Sequence, residues 1–336
     1  MVPTIKDVAQ KAQVGVGTVS RVINESPAVS KATRRKVQEA IQELNYSPNP
    51  SARRLSLGKT WQIGVVLPNL TLSSYVERLR GILQALSNSE YQPVLYAVGS
   101  PEQRDETFDS LSNKNHVDGA LAISLTPDPK QTQKFIRNEI PLVLIDTHHE
   151  HFQHVFVDDV QGGTLATQHL IDLGHDKIAY ISDPLDFPFQ KSAAANRYQG
   201  YRRALDENAI PYRDKYFVEG ERGRQNGKRM AKHLLDQGDP PTAIFTSCDT
   251  QAIGVLDAAR EAGKNVPRDL SVIGYDGIRE AELVNLTTIA QPLYESGHIA
   301  ARMLLDSLKT HPPADHCRQL PVEVRVRGTT APPQRR

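Results

Sequence analysis

Ten consecutive residues, Gly15 to Asn24, carry side chains suited to reading a DNA groove. On a helix beginning at Val16, one face holds Val19, Val22 and Ile23, and the other holds Val16, Gly17, Ser20 and Arg21. Small side chains at its start let such a helix approach bases closely, and a guanidinium can fork onto a guanine edge. These ten residues alone suit an ordinary helical hairpin with a solvated arginine equally well. A second chemically loaded stretch is Arg53-Arg54-Leu55, lying between Pro50 and Gly58. A helix there is too short to persist alone in water. Folded against DNA, its arginines would meet phosphates and Leu55 would wedge into a minor-groove base step.

Further along, polar residues recur just after short apolar runs: Asn69, Ser124, Asp146, Asp183, Asp249, Asp276 and Gln291. In open α/β sheets, ligands sit outside the carboxyl ends of the strands. Together with Arg197, which opens a helix, these residues offer the fixed donors and acceptors that a sugar or polyol needs. A strand-end aspartate can also simply cap the next helix. For Asp146 and Asp183 the cap is the reading adopted here; for Arg197 and Asp276 it is ligand contact. Tyr75 is the aromatic of the first loop, and Phe187 and Phe189 could supply a stacking wall or anchor their own loop.

Other chemistries find little support. Histidines 148, 149, 151 and 154 read as a solvated loop, so no metal is expected. Gly220 to Lys228 resembles a phosphate loop only superficially, because Arg222 and Arg229 stand where Gly and Ser or Thr are needed. No G-x-S-x-G elbow and no helix-opening G-x-G-x-x-G occurs, which argues against an enzyme and against a nucleotide cofactor. Cys248 and Cys317 match no metal or redox spacing.

The elements that must position these residues fall into two regimes. Ile5, Val8, Ala9 and Ala12 make one stripe of a first helix, and Gln13-Val14 is a tight connection to Gly15, the cap of the second. A third helix, about Lys31 to Asn45, is capped by Ser30. After Thr60, β-branched runs alternate with helical stretches, as between Ile63–Pro68 and Pro93–Val98 with a helix from about Tyr75 to Glu90. The pattern repeats after Lys177, which predicts two largely parallel sheets of five or six strands each. The net charge of +1 hides an asymmetry: residues 1–60 hold ten Lys/Arg against four Asp/Glu. A basic module on a mildly acidic body is the electrostatic footprint of a duplex-binding head. No apolar run approaches a membrane span and no leader precedes the first helix, so a cytoplasmic protein is expected.

Thr4-Ile5-Lys6-Asp7-Val8-Ala9, Gly17 to Asn24, Tyr46-Ser47-Pro48-Asn49 and Ala52-Arg53-Arg54-Leu55 together resemble the lac repressor / galactose repressor family of bacterial transcription regulators. Looser matches run through Arg197 to Tyr201, Asp249 to Gly254, Pro267 to Asp276 and Leu286 to Pro292. Two departures show: Gly15 stands where the family usually has Ser, and Asn69 to Tyr75 lacks the Asp-x-x-Asn-Pro-Phe of sugar-binding members. The resemblance implies a small all-α helix-turn-helix head (1–48), a hinge helix and linker (49–60) and an α/β body of two doubly wound, periplasmic-binding-protein-like lobes (61–330). By analogy the N-lobe takes about 61–160 and 292–320, the C-lobe about 161–291 and 321–330, and 331–336 form a tail. It further implies operator contacts from Thr4, Val16, Gly17, Thr18, Ser20, Arg21, Asn24, Tyr46, Asn49, Ala52, Arg53 and Leu55. Effector contacts would come from Asn69, Tyr75, Ser124, Phe187, Arg197, Asp249, Asp276 and Gln291. The function implied is a ligand-responsive repressor, binding double-stranded operator DNA as a homodimer under control of a sugar or related metabolite. An activator, or a sugar-binding transport component with the same lobes, is the alternative.

Overall fold

The computed structural model describes residues 3–24, 26–47, 59–186, 193–309 and 317–334, in two compact units divided between Trp61 and Gln62. In the first unit, α1 (Ile5–Ala12), α2 (Val16–Ile23) and α3 (Lys31–Glu43) pack around Val8, Ala9, Ala12, Val19, Val22, Val37 and Ala40. Side-chain chemistry fixes where α1 and α3 begin. The Asp7 carboxylate accepts from the backbone N–H and the hydroxyl of Thr4, at 2.7 and 2.8 Å. Ser30 Oγ accepts from Thr33 N at the start of α3. Gly15 precedes α2 without a side-chain cap, and a Cβ added there would meet nothing within 4 Å. Asn49, Ala52, Arg53, Leu55 and the hinge they were read into lie outside the described residues.

The second unit holds two six-stranded sheets. The first runs β11-β5-β4-β3-β1-β2, built from β1 (Gln62–Leu67), β2 (Gln92–Ala97), β3 (Gly119–Ile123), β4 (Leu142–Ile145), β5 (Gln153–Val157) and β11 (Cys317–Leu320), all parallel. The second runs β12-β10-β9-β8-β6-β7: β6 (Ile178–Ser182), β7 (Phe217–Glu219), β8 (Ala243–Thr246), β9 (Ser271–Asp276), β10 (Thr287–Ala290) and an antiparallel edge, β12 (Glu323–Arg325). The fully buried run Ile63, Val65, Val66 and Leu67 shows why these strands read as continuous apolar stretches: both faces are covered. The chain crosses between the sheets more than once. α12 (Leu293–Ser307), which follows a strand of the second sheet, buries Ala300, Ala301 and Leu304 on the first.

Helices cover both sheets in pairs joined by close backbone contacts. α4 (Ser73–Leu86) meets α12, α7 (Asp159–Asp172) meets α8 (Ala193–Glu207), and α9 (Arg224–Leu235) meets α10 (Asp249–Glu261). At each crossing two glycines face the partner's backbone. A Cβ on Gly81 would sit 2.0 Å from Tyr294 O, and one on Gly297 would sit 2.0 Å from Arg78 O. Gly163 and Gly200 stand likewise against Arg197 O and Val160 O, both at 2.2 Å. Gly227 and Gly254 do so against Gln251 O and Arg224 O, at 2.5 and 2.1 Å. These six positions need glycine because no side chain fits between the helices.

α4 ends at Leu86, earlier than the sequence pattern suggested, and turns at Ser87 and Ser89, whose hydroxyls bond the carbonyls of Gln84 and Leu86. Ala331 is no loose tail either. Its carbonyl lies 3.0 Å from His175 Nε2 and accepts from Ser271 Oγ at 2.9 Å.

Candidate functional site

In the head, the division of faces on α2 is as expected from periodicity. Val19 and Val22 are buried, whereas Val16, Gly17 and Arg21 are exposed and Thr18 and Ser20 lie between. Asn24 closes the helix, its side chain donating to Ser20 Oγ at 3.5 Å. Thr4 is exposed at the start of α1, and Tyr46 is half-buried against the head core. Val16, Gly17, Ser20 and Arg21 thus form one outward strip on a helix whose first turn carries no bulky side chain beyond Val16.

In the body, strand ends from both sheets converge on a cavity of about 440 Å³. Asn69, Tyr75, Ser124, Arg197, Asp276 and Gln291, all expected to meet a ligand, line it. The backbone there is unusual: Ser124, Asp146 and Asp276 have φ of +55°, +68° and +118°, at the ends of β3, β4 and β9. Such conformations persist only where the surroundings hold them, and they cluster at ligand sites. Asn69 sits at the rim, its Oδ1 accepting from the N–H and hydroxyl of Thr71 at 2.7 and 2.8 Å.

Arg197 is 3% exposed and held by several groups. Its Nε donates to Asp159 Oδ1 at 2.8 Å, its Nη1 donates to Ser247 O at 2.6 Å, and the guanidinium lies 3.7 Å from the centre of the Tyr275 ring. Asp276 Oδ1 is 3.6 Å from Nη1 and accepts from Gln291 Nε2 at 2.6 Å. Burial raises the Asp276 carboxyl above the usual carboxylate range, with Arg197, Arg222 and Arg78 pulling the other way. Burial also raises Asp159, opposed first by Arg197. For Arg197, burial alone would lower the pKa, but Asp159, Tyr275 and Asp276 hold it well above its ordinary value.

Three readings change. Asp249, expected to meet a ligand, is fully buried and does not line the cavity. It ties strands together instead, accepting from Gly277 N, Ile278 N and Thr288 Oγ1 at 2.7, 2.9 and 2.5 Å. Asp146 and Asp183, read as helix caps, face the cavity and pair with arginines. Neither caps a helix, because β5 follows Asp146, and Asp183 is taken up by Arg222 and Gln251. Phe187 and Phe189 lie outside the described residues.

Two arginines went unrecognised from sequence. Arg78, 2% exposed, pairs with Asp146 at 2.8 Å and donates to Gln291 at 3.1 Å, so it joins the two lobes across the cavity. It shares a face with Tyr75, Ile82 and Ala85, so an arginine inside an apolar stripe was the visible signal. Arg222 comes from the stretch set aside as a false phosphate loop. A wider hollow of about 600 Å³ lies by Tyr294, but its rim is surface charge paired within itself, such as Arg80–Glu77 and Arg325–Glu323.

Known proteins place this architecture. Residues 4–49 match "Bacterial regulatory proteins, lacI family" and residues 167–330 match "Periplasmic binding protein-like domain". Catabolite control protein A of Priestia megaterium is 36% identical over 333 residues, covering 97% of this chain and 99% of the relative. The chain belongs to the LacI family. A solved complex of the transcriptional regulator CelR with cellobiose is similar at 32% identity and TM-score 0.71, covering 97% of this chain and 99% of that one. The lac repressor dimer bound to operator and the anti-inducer ONPF aligns at TM-score 0.83 and 28% identity, over 98% of this chain and 100% of that one. As a LacI-family protein it is a DNA-binding transcriptional repressor that answers to a small ligand. Among the described residues, no helix is long and apolar enough to cross a membrane.

Proposed function

We propose that the cavity between the two sheets binds a sugar or related metabolite, and that the outward strip of α2 reads the operator. The observation that carries the reading is the origin of the lining. Arg197 and Asp276 come from one lobe; Tyr75 and Ser124 come from the other. A ligand held by both favours one degree of lobe closure, and coupling of this kind shifts DNA affinity by about 1–3 kcal/mol. The cellobiose-bound relative supports a sugar. The working partition is a head to residue 48, a hinge and linker to 60 and the body to 330. The chain acts as a cytoplasmic homodimer without turnover of its ligand. A transport component would have no use for the basic head.

Asp276→Asn keeps the size and removes the charge. It should weaken sugar binding in calorimetry at least tenfold while leaving ligand-free operator binding unchanged. If ligand affinity is untouched in both this variant and Arg197→Ala, the site lies elsewhere.

Arg21→Ala should cost about 1–3 kcal/mol on the cognate operator, through loss of a bidentate base contact. Binding to random duplex should change much less. Fluorescence anisotropy on both DNAs decides it, since an equal loss would make Arg21 a phosphate contact.

A further inference from the structure

We propose that the cavity takes an uncharged polyhydroxy ligand and rejects phosphorylated or carboxylated ones; this rests on the cleft reading given above. Three guanidiniums line the cavity, and each is already held by a carboxylate. Arg78 Nη2 lies 2.8 Å from Asp146 Oδ1, Arg197 Nε 2.8 Å from Asp159 Oδ1, and Arg222 Nε 2.6 Å from Asp183 Oδ2. Asp276 and Glu221 add two more acids, and no lysine or histidine lines the cavity among the described residues. Four carboxylates and three guanidiniums therefore line the cavity, with Asp159 a fifth acid behind Arg197.

Among the described residues, an anion entering this site meets no guanidinium that lacks a carboxylate partner. It must pull a guanidinium from its carboxylate, leaving that carboxylate buried and unpaired, or settle beside acids already in excess. Both are costly where water is scarce. Sites built for phosphate do the opposite, presenting guanidinium forks or backbone N–H groups that have no other partner.

A hydroxyl fits without breaking any pair, because it donates and accepts at once. Each carboxylate has about four acceptor positions. Asp146 Oδ2, for example, accepts only a 3.2 Å bond from Ser124 among the described hydrogen bonds. On the donor side, Arg78 is 2% exposed, yet its Nε–H finds no protein acceptor among the described residues. Its Nη1 and Nη2 are occupied by Ser74 O, Gln291 and Asp146. That N–H is closed off from the cavity, so what Arg78 offers a ligand is the carboxylate-paired side of its guanidinium. Arg78, missed in the sequence, is the N-lobe guanidinium whose pairing with Asp146 an anion would have to break.

Calorimetry on the full chain with matched sugars tests this: ribose and ribose 5-phosphate, glucose and glucose 6-phosphate, cellobiose and its 6-phosphate, with inorganic phosphate alongside. One neutral sugar is expected to bind, with its phosphate ester at least tenfold weaker. Asp183→Asn, which releases Arg222, should narrow that ratio at least threefold, with folding checked by circular dichroism. A phosphate ester that binds more tightly than its neutral partner, or a panel in which no neutral sugar binds, overturns the proposal. If an ester wins and Arg197→Ala abolishes its binding, the cleft stands and only the charge selection fails. If a sugar binds but neither Arg197→Ala nor Asp276→Asn weakens it, the cleft itself is the wrong site.

Discussion

Gly200→Val should lower the melting temperature of the body and weaken ligand binding in the same protein. A Cβ at this position falls 2.2 Å from Val160 O and 2.6 Å from Thr164 N. Both are backbone atoms of α7, so no side-chain rotation relieves the clash, and the two helices must part. Overpacking a close contact costs about 1–3 kcal/mol and sometimes more, and valine on a glycine–backbone contact belongs at the upper end. For a body of this size the melting temperature should drop by roughly 6–12 °C. Arg197 lies one turn earlier on the same helix, and its own carbonyl presses on Gly163. Separation of the helices therefore moves the guanidinium away from Asp159 and out of the cavity. Gly238→Ala is the control, because a Cβ there meets nothing within 4 Å. Its effect should stay within about 0.5 kcal/mol. A Gly200→Val protein that melts with the parent would refute the close approach of α7 and α8.

How much of this was legible in the chain depends on whether a residue's role is set locally. The head was readable because three short helices share one buried stripe, and the same period that buries Val19 and Val22 exposes Arg21. Sheet order and lobe membership were less so, since β11 and β12 join different sheets across only two intervening residues. The strand-end aspartates look alike in sequence, yet their fates differ. Asp249 became structural because the amides of Gly277 and Ile278, far along the chain, turn toward it. Burial raises its carboxyl well above the ordinary range, with Asp276 adding to the effect. Asp146 and Asp183 instead found Arg78 and Arg222, which no local pattern pairs with them. The glycine pairs did leave a trace: a glycine inside a helical pattern costs about 1 kcal/mol against alanine and so points to a packing reason. Which glycine meets which carbonyl is a tertiary fact.

Arg197→Ala carries the largest expected loss, and its pH dependence distinguishes the cause. The guanidinium faces two buried carboxylates, Asp159 and Asp276, and stacks on Tyr275. Breaking a buried ion pair by removing one partner costs about 3–5 kcal/mol, because the remaining charge is left without compensation. The body should therefore unfold at markedly lower denaturant near neutral pH. Burial already raises the folded-state pKa of Asp159, and Arg197 is the first influence holding it down. Without the arginine that pKa climbs further, while in the unfolded chain it stays at about 3.9. A carboxyl whose folded pKa is raised stabilises the fold below the unfolded pKa and loses that contribution as pH rises through the folded one. On acidification from pH 7.5, the folded variant thus takes up a proton before the unfolded chain does. Its deficit relative to the parent should therefore shrink as pH falls from the raised folded value toward the unfolded one of about 3.9. Arg197→Lys restores a cation without the fork that spans Asp159 and Ser247, so it should recover part of the stability at pH 7.5 and less of the ligand affinity. Urea melts of the three proteins at several pH values would show this. A deficit in Arg197→Ala that stays constant or grows on acidification would mean that lost packing on Tyr275, rather than stranded charge, is the source of the instability.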